Sequence, residues 1–334
     1  MADVFSPIPE LNLLKEYYDA QDDFFANGFE MYKYGQEIEE GLISFAQANG
    51  SGSLFGIWRK DDREDLATLP VVAMGDEGGV HIIARDFRAF LRLLASLPAD
   101  CEPDIDWGSF GLRECDLDEP VENERFLAWL KETFGITPAD DWGTIVDDAQ
   151  AEFGKEWAAW IHPIMPDAVW SPVHELNLLE LFRNVARGGF ANGVWLLDDD
   201  DPKRLKNPER TADLMPFAST NESDTFFALW RLDDRPDLAD LPIVALGNTA
   251  GAHVVARNVR EFYQLIAGLT DTEIWCDETQ VGLRPCEPAP QREMFLSWLD
   301  ETFGLRPADD PAAVIATAQS ELGERLATRL TRVP

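Results

Sequence analysis

LPVVAMGDEGGVHIIARDFRAFLRLLA, residues 69–95, holds two short apolar runs, a glycine-rich turn between them and an amphipathic segment after them. The turn at residues 75–79 supplies glycines where a hairpin needs positive φ, so the two runs predict a pair of antiparallel strands. Apolar residues then recur at helical spacing, and this pattern predicts a helix with one face on the sheet. Those residues are Phe87, Phe90, Leu91 and Leu94.

The second half of the chain repeats this stretch as LPIVALGNTAGAHVVARNVREFYQLIA, residues 241–267. Three further segments recur in the same order: SPIPELNLL from Ser6 as SPVHELNLL from Ser171, LFGIWR from Leu54 as FFALWR from Phe226, and FLAWLKETFGITPADD from Phe126 as FLSWLDETFGLRPADD from Phe295. The repeated unit is far longer than the ~20–50 residues of a solenoid repeat. We therefore predict two domains, residues 1–165 and residues 166–334, with the boundary near the prolines of residues 163–171.

Each half contains further predicted elements. LISFAQA and LFGIWR flank the NGSGS turn at residues 49–53, which predicts a second hairpin. Residues 126–134 read as a helix that ends at Gly135, and a last helix follows Asp140 and Asp141. The predicted fold class is α+β, with an antiparallel sheet and helices packed on it in each half.

The chain is strongly acidic, with 62 Asp and Glu against 28 Lys and Arg and a formal net charge of −34. The first copy is the more acidic one, because residues 1–170 carry 35 acidic and 12 basic side chains. Phosphate binding requires a basic surface, so the composition argues against nucleic acid and anionic membranes as partners. A field of this sign attracts a cationic protein.

The sequence lacks the motifs that would indicate an enzyme, since it has no H-E-x-x-H, Walker A, G-x-S-x-G or Rossmann fingerprint. We therefore expect no catalysis, no cofactor and no metal. His81 and His253 occupy equivalent strand positions, where we expect a structural or solvent-facing role. The cysteines form no C-x-x-C pair, so we expect thiols, and a disulfide within each copy is the alternative. They are Cys101, Cys115, Cys276 and Cys286.

The N-terminal stretch MADVFSPIPE has neither the cationic nor the apolar segment of a secretion signal. No run approaches the ~18–20 apolar residues that span a bilayer. We therefore expect a cytoplasmic protein, a location that also disfavours disulfides.

Residues 50–59, GSGSLFGIWR, together with residues 69–95 resemble the SUKH superfamily, which includes the yeast cell-wall assembly regulators and many bacterial immunity proteins of polymorphic toxin systems. The positions that carry the resemblance are Gly52, Trp58, Gly75, Glu77, Gly78, Ala84, Phe90 and Leu91. The resemblance implies an α+β fold and, for the bacterial members, neutralisation of a toxin by direct binding. The implied partner is a basic toxin catalytic domain, because many such toxins are nucleases. A regulatory or scaffold protein of the yeast type is the alternative.

Acidic clusters and nearby aromatic residues are the candidate partner-binding sites. The acids are Asp61, Asp62, Asp76, Glu77, Asp104, Asp106, Glu114 and Asp118, and the aromatic candidates, which we expect to be exposed, are Trp107 and Phe110. Aromatic residues supply the anchoring contacts that charge alone does not give. For any single cluster, a solvated surface is the alternative interpretation. Trp58 and Trp230 are expected in the core, and residues 247–251 lack both acids of the first copy's turn.

Overall fold

The computed structural model describes residues 5–21, 26, 28–31, 34–115, 123–165, 168–186, 189–197, 213–220, 225–247 and 251–331. The chain divides into two compact units, Met1–Pro172 and Val173–Pro334. The division falls beyond residue 165 because the following segment packs on the first unit. Ala168 is buried in the same apolar cluster as Leu42 and Trp58, and Met165 packs against that cluster.

The first unit contains a five-stranded antiparallel sheet and a separate two-stranded hairpin. In chain order its elements are α1 (Pro9–Asp19), β1 (Gln36–Glu39), β2 (Leu42–Gln47), β3 (Leu54–Trp58), a 3-10 helix (Leu66–Thr68), β4 (Val71–Met74), β5 (Val80–Ala84), α2 (Phe87–Ser96), β6 (Cys101–Ile105), β7 (Phe110–Glu114), α3 (Glu124–Phe134) and α4 (Gly143–Ile161). The sheet has the order β1-β2-β3-β4-β5, and β6 pairs with β7. The two predicted hairpins are therefore confirmed as β2–β3 and β4–β5.

Both faces of this sheet are buried. Along β4, Val71 and Ala73 belong to the apolar cluster that includes residues of α1, α2 and α3. Val72 and Met74 belong to the other cluster, with residues of α4. Strands covered on both faces read as continuous apolar runs, which is why VVAM shows no alternation with polar residues.

The predicted helix boundaries have identifiable local causes. Asp86 caps α2, because its Oδ1 accepts a hydrogen bond from the Ala89 amide at 2.7 Å. Gly135 ends α3 in the left-handed conformation with φ of 69°, as predicted for this C-cap. The first cap fixes where α2 begins, and the second fixes where α3 ends.

The second unit has the same order of elements: α5 (His174–Ala186), β8 (Trp195–Leu196), β9 (Leu214–Ser219), β10 (Phe226–Trp230), a 3-10 helix (Leu238–Asp240), β11 (Ile243–Leu246), β12 (Ala252–Ala256), α6 (Val259–Gly268), β13 (Thr272–Cys276), β14 (Val281–Pro285), α7 (Arg292–Phe303) and α8 (Pro311–Thr331). Its five-stranded sheet has the order β12-β11-β10-β9-β8, and β13 pairs with β14. The fold class is α+β, as predicted. Trp58 and Trp230 are core residues, 0% and 3% exposed. Within the described ranges, no helix combines the length and apolar character needed to cross a membrane.

Candidate functional site

Three turns of the first unit meet at one end of its sheet. The β2–β3 turn (residues 49–53) and the β4–β5 turn (residues 75–79) share this end because the four strands are antiparallel. The β6–β7 turn (residues 106–109) joins them through a hydrogen bond of 2.8 Å between His81 Nε2 and the Asp106 carbonyl. We call residues 49–53, 75–79 and 106–109 the three-turn face.

Asn49 organises the first of these turns and is only 1% exposed. Its Oδ1 accepts hydrogen bonds from the amides of Gly52 and Ser53 at 3.1 and 3.0 Å. Its Nδ2 donates to the Pro103 carbonyl of β6 at 2.9 Å. One side chain therefore closes the β2–β3 turn and ties it to the β6–β7 hairpin.

Asp76 links the second turn to the first. Its Oδ1 accepts hydrogen bonds from the hydroxyls of Ser53 and Ser51 at 2.7 and 3.1 Å. The Ser53 bond is the main cause that lowers the pKa of Asp76 below its ordinary value. The carboxylate therefore stays ionised and places a fixed negative charge on the three-turn face.

Glycines allow the second turn to lie against the β6–β7 turn. Gly78 has φ of +121°, and a Cβ there would lie 2.2 Å from Cζ2 of the Trp107 indole. Gly79 has φ of +79°, and its Cβ would lie 2.0 Å from the Asp106 carbonyl oxygen. Both positions thus need glycine for backbone conformation and for space.

Trp107 is the aromatic residue that this face presents to solvent, and it is 56% exposed. The turn that carries it is fixed by Asp106, whose Oδ1 accepts hydrogen bonds from the Gly108 and Ser109 amides at 2.8 and 2.7 Å. The predicted exposure of Trp107 is therefore confirmed. An exposed indole on a fixed turn has little freedom to lose on binding, which suits it to anchor a contact.

A cleft of about 370 Å³ opens beside Trp107. Its apolar lining comes from the α4 side of the sheet and from the segment that follows α4: Ile38, Leu54, Met74, Val80, Met165 and Ala168. Asp76 and Trp107 complete the lining together with glycines of the turns. The face is therefore concave, apolar at its base and acidic at its edge.

The structure brings together four of the predicted partner-binding residues: Asp76, Glu77, Asp106 and Trp107. Asp104 lies one position before Ile105 on β6, and its Oδ1 is 3.7 Å from Nη1 of Arg113. Glu114 is at the opposite end of the β6–β7 hairpin, paired across it with Cys101. Asp118 lies outside the described residues.

Asp61 and Asp62 lie at the other end of the sheet, because they follow the last residue of β3, Trp58. Asp61 accepts two hydrogen bonds from the Arg63 guanidinium at 2.7 and 2.5 Å, which lower the pKa of Asp61 to about 2. Asp62 is 3.4 Å from Arg59. These two acids are thus separate from the three-turn face and already have cationic neighbours.

The expectation that Phe110 is exposed is wrong. Its side chain is 7% exposed and belongs to the apolar core, with its ring 5.9 Å from that of Trp142. Phe110 pairs across the hairpin with Ile105, which is also buried in this core. Because directly opposite residues share a face, Phe110 points inward with Ile105.

The corresponding turn of the second unit has the same hydrogen-bond pattern and a different exposed side chain. Asp277 Oδ1 accepts hydrogen bonds from the Thr279 and Gln280 amides at 2.8 and 3.0 Å, and His253 Nε2 is 2.9 Å from the Asp277 carbonyl. Glu278 occupies the place that Trp107 has in the first unit, directly after the turn-closing aspartate. This turn therefore offers a carboxylate and no aromatic anchor.

Sequence reasoning missed Asn49, Ser53 and the cleft. The first two lie in the NGSGS stretch, where a buried asparagine that accepts from the next backbone amides is a known turn signal. The contribution of Met165 to the cleft could not be predicted from the sequence, because its contact with the sheet depends on the path of the chain after α4.

Within the described residues there is no group of three or more His, Cys, Asp or Glu that could hold a metal ion. None of the four cysteines forms a disulfide bond, and burial raises the pKa of Cys276 to about 11, so that thiol stays protonated. Burial also lowers the pKa of His81, whose ring contacts a backbone carbonyl.

Comparison with known proteins gives no assignment, because no family model, no curated protein and no solved structure matches this chain.

Proposed function

We propose that this chain is a non-catalytic binding protein, an immunity protein that neutralises a bacterial toxin domain by direct contact through the three-turn face. The observation that carries the proposal is Trp107, 56% exposed beside an apolar cleft and next to Asp76. Exposed tryptophans on rigid turns are typical anchors of protein interfaces. The SUKH-like segment supports the toxin-directed form of this proposal.

Charge supports a cationic partner. Residues 1–170 carry 35 acidic and 12 basic side chains, and Asp76, Glu77 and Asp106 are exposed on the three-turn face. A one-sided field of this kind raises association rates toward ~10⁸–10⁹ M⁻¹s⁻¹ at low salt. A nuclease toxin has a basic surface for phosphate, so the two surfaces would be complementary.

The second unit takes a different part in this proposal. Its β13–β14 turn presents Glu278 where the first unit presents Trp107. It therefore acts as a scaffold or contacts a different surface of the partner. We expect the complex to form in the cytoplasm, where an immunity protein meets its toxin.

The test uses the full chain and the catalytic domain encoded by the adjacent open reading frame, mixed at micromolar concentrations in low salt. We expect a stable complex, loss of toxin activity in it, and a complex weakened by Trp107→Ala. Glu278→Ala tests the second unit, because unchanged affinity favours a scaffold and weaker binding favours a second contact with the partner. No complex under these conditions would remove the toxin-directed proposal, and a complex with a non-toxin neighbour would favour the regulatory or scaffold alternative.

A further inference from the structure

The cleft beside Trp107 has a base and an edge of different chemistry. Its base is formed by Leu54, Met74, Val80 and Met165, and it holds about 370 Å³. This volume is near the lower end of the ~300–1,000 Å³ typical of small-molecule pockets, so it suits one or two inserted side chains. The residues that form it belong to or pack against the second apolar cluster of the unit.

The edge of the same cleft is acidic. Asp76 contributes to the lining, and its carboxylate is held by Ser53 and Ser51 in a fixed orientation. Glu77 and Asp106 are exposed in the adjoining turns. The backbone amides of Gly108 and Ser109 donate hydrogen bonds to Oδ1 of Asp106, so the position of this carboxylate is also fixed.

An apolar side chain alone would leave these carboxylates without a complementary charge, and a purely cationic segment would leave the apolar base in water. The occupant that satisfies both has a large apolar residue flanked by Lys or Arg. Trp107 borders both regions, since its indole contacts Gly78 and lines the cleft. The face of the Trp107 indole can pack on an aliphatic or aromatic side chain, and it can also bind a cation through a cation–π interaction.

We infer that the cleft between Trp107 and Met165 receives a single large apolar side chain from a cationic segment of the partner protein, with the flanking cations on Asp76, Glu77 and Asp106. This inference rests on the proposed function, because it specifies the contact that the toxin domain makes. It assigns Met165 and Met74 a recognition role. Methionine suits that role, because its flexible thioether adapts to different inserted shapes.

The test probes the cleft without the toxin. The full chain is labelled with 5-fluorotryptophan at its eleven tryptophans, and Trp107→Phe identifies the Trp107 ¹⁹F resonance. Three capped pentapeptides are titrated: Lys-Lys-Phe-Lys-Lys, Lys-Lys-Ala-Lys-Lys and Glu-Glu-Phe-Glu-Glu. We expect the first to shift the Trp107 resonance, the second to bind at least ten-fold more weakly, and the third to cause no shift.

Two variants separate the base from the edge. Met165→Trp fills the cleft and should abolish the preference for Phe over Ala, whereas Asp76→Asn should weaken both basic peptides and keep that preference. Glu278→Gln on the second unit is the charge control and should change nothing. Equal binding of the Phe and Ala peptides, or binding of N-acetyl-phenylalanine amide as tightly as the basic Phe peptide, would overturn the inference. So would the absence of any Trp107 shift at millimolar peptide.

The toxin domain then distinguishes the two proposals. If Trp107→Ala weakens the toxin complex and Met165→Trp leaves it unchanged, the cleft inference fails and the proposed function stands. If the basic Phe peptide binds and the toxin domain does not, the proposed function fails and the cleft keeps its assigned chemistry for another protein.

Discussion

Replacing Gly78 by alanine should displace Trp107, and Gly52→Ala provides a matched control. Both glycines have positive φ, +121° and +111°, so any Cβ imposes a comparable backbone cost of about 1–3 kcal/mol. A Cβ at Gly52 meets nothing within 4 Å, whereas at Gly78 it would lie 2.2 Å from the indole. We therefore expect similar losses of unfolding free energy and a displaced indole in Gly78→Ala alone.

The consequence for binding follows from the anchoring role proposed for Trp107. Loss of a hot-spot tryptophan costs about 2 kcal/mol or more, which is roughly a 30-fold increase in Kd. Gly78→Ala should therefore approach the affinity of Trp107→Ala toward the toxin domain. Urea denaturation measures the stability of both glycine variants, ¹⁹F NMR follows the Trp107 resonance in the free protein, and calorimetry gives Kd.

A Trp107 resonance that is the same in both glycine variants and in the unmodified chain would contradict this prediction. Binding of Gly78→Ala to the toxin domain as tightly as the unmodified chain, while Trp107→Ala binds weakly, would also contradict it. Either result would mean that the indole does not depend on the space left by Gly78.

Asn49→Ala should lower the unfolding free energy in urea by about 2–4 kcal/mol, because two backbone amides and the Pro103 carbonyl lose a buried partner. Ser53→Ala should raise the pKa of Asp76 toward its ordinary value, measured by carboxyl ¹³C titration, because the main hydrogen bond that lowers it is lost. Because the pKa of Asp76 is lowered in the folded protein, its ionised form stabilises the fold fully above the unfolded pKa, and this stabilisation is lost as pH falls through the folded pKa. The loss of unfolding free energy at acid pH should therefore be smaller in Ser53→Ala. Asp76→Asn combined with Glu77→Gln should slow association with the toxin domain and flatten its salt dependence in stopped-flow experiments.

The stability and association-rate predictions each have a control in the same unit. Ser51→Ala removes an exposed hydroxyl and should cost less than about 0.5 kcal/mol, well below Asn49→Ala. Asp61→Asn removes one negative charge at the other end of the sheet and should leave the association rate unchanged. A larger effect of Asp61→Asn than of the Asp76 and Glu77 changes would place the contact at that end.

The two large hairpins and the helices α2, α3 and α4 were predictable because each has a local signal. The apolar runs around residues 75–79 and the stop at Gly135 depend on neighbours in sequence. The β6–β7 hairpin was missed because its first strand, CEPDI, has no apolar run and contains Pro103. Its pairing becomes evident only when both strands are seen side by side.

The candidate site was predictable in composition but not in arrangement. Trp107 and Phe110 lie three residues apart in the same acidic segment, and cross-strand pairing with Ile105 alone decides that Phe110 is buried. Asp61 and Asp76 look equivalent as acids near turns. The antiparallel order of β3 and β4 puts them at opposite ends of the sheet, and that topology is not a local property of either segment.

The Asp106 and Asp277 turns have one consequence for how such a surface can change. In both units an aspartate closes the turn through its own Oδ1, and a histidine on the neighbouring strand anchors its carbonyl. The side chain of the residue after the aspartate takes no part in these hydrogen bonds. Its identity can therefore change while the turn stays the same. Exchange of tryptophan and glutamate at that position changes the chemistry that the turn presents to solvent, while the sheet, its register and the cores on both faces stay untouched.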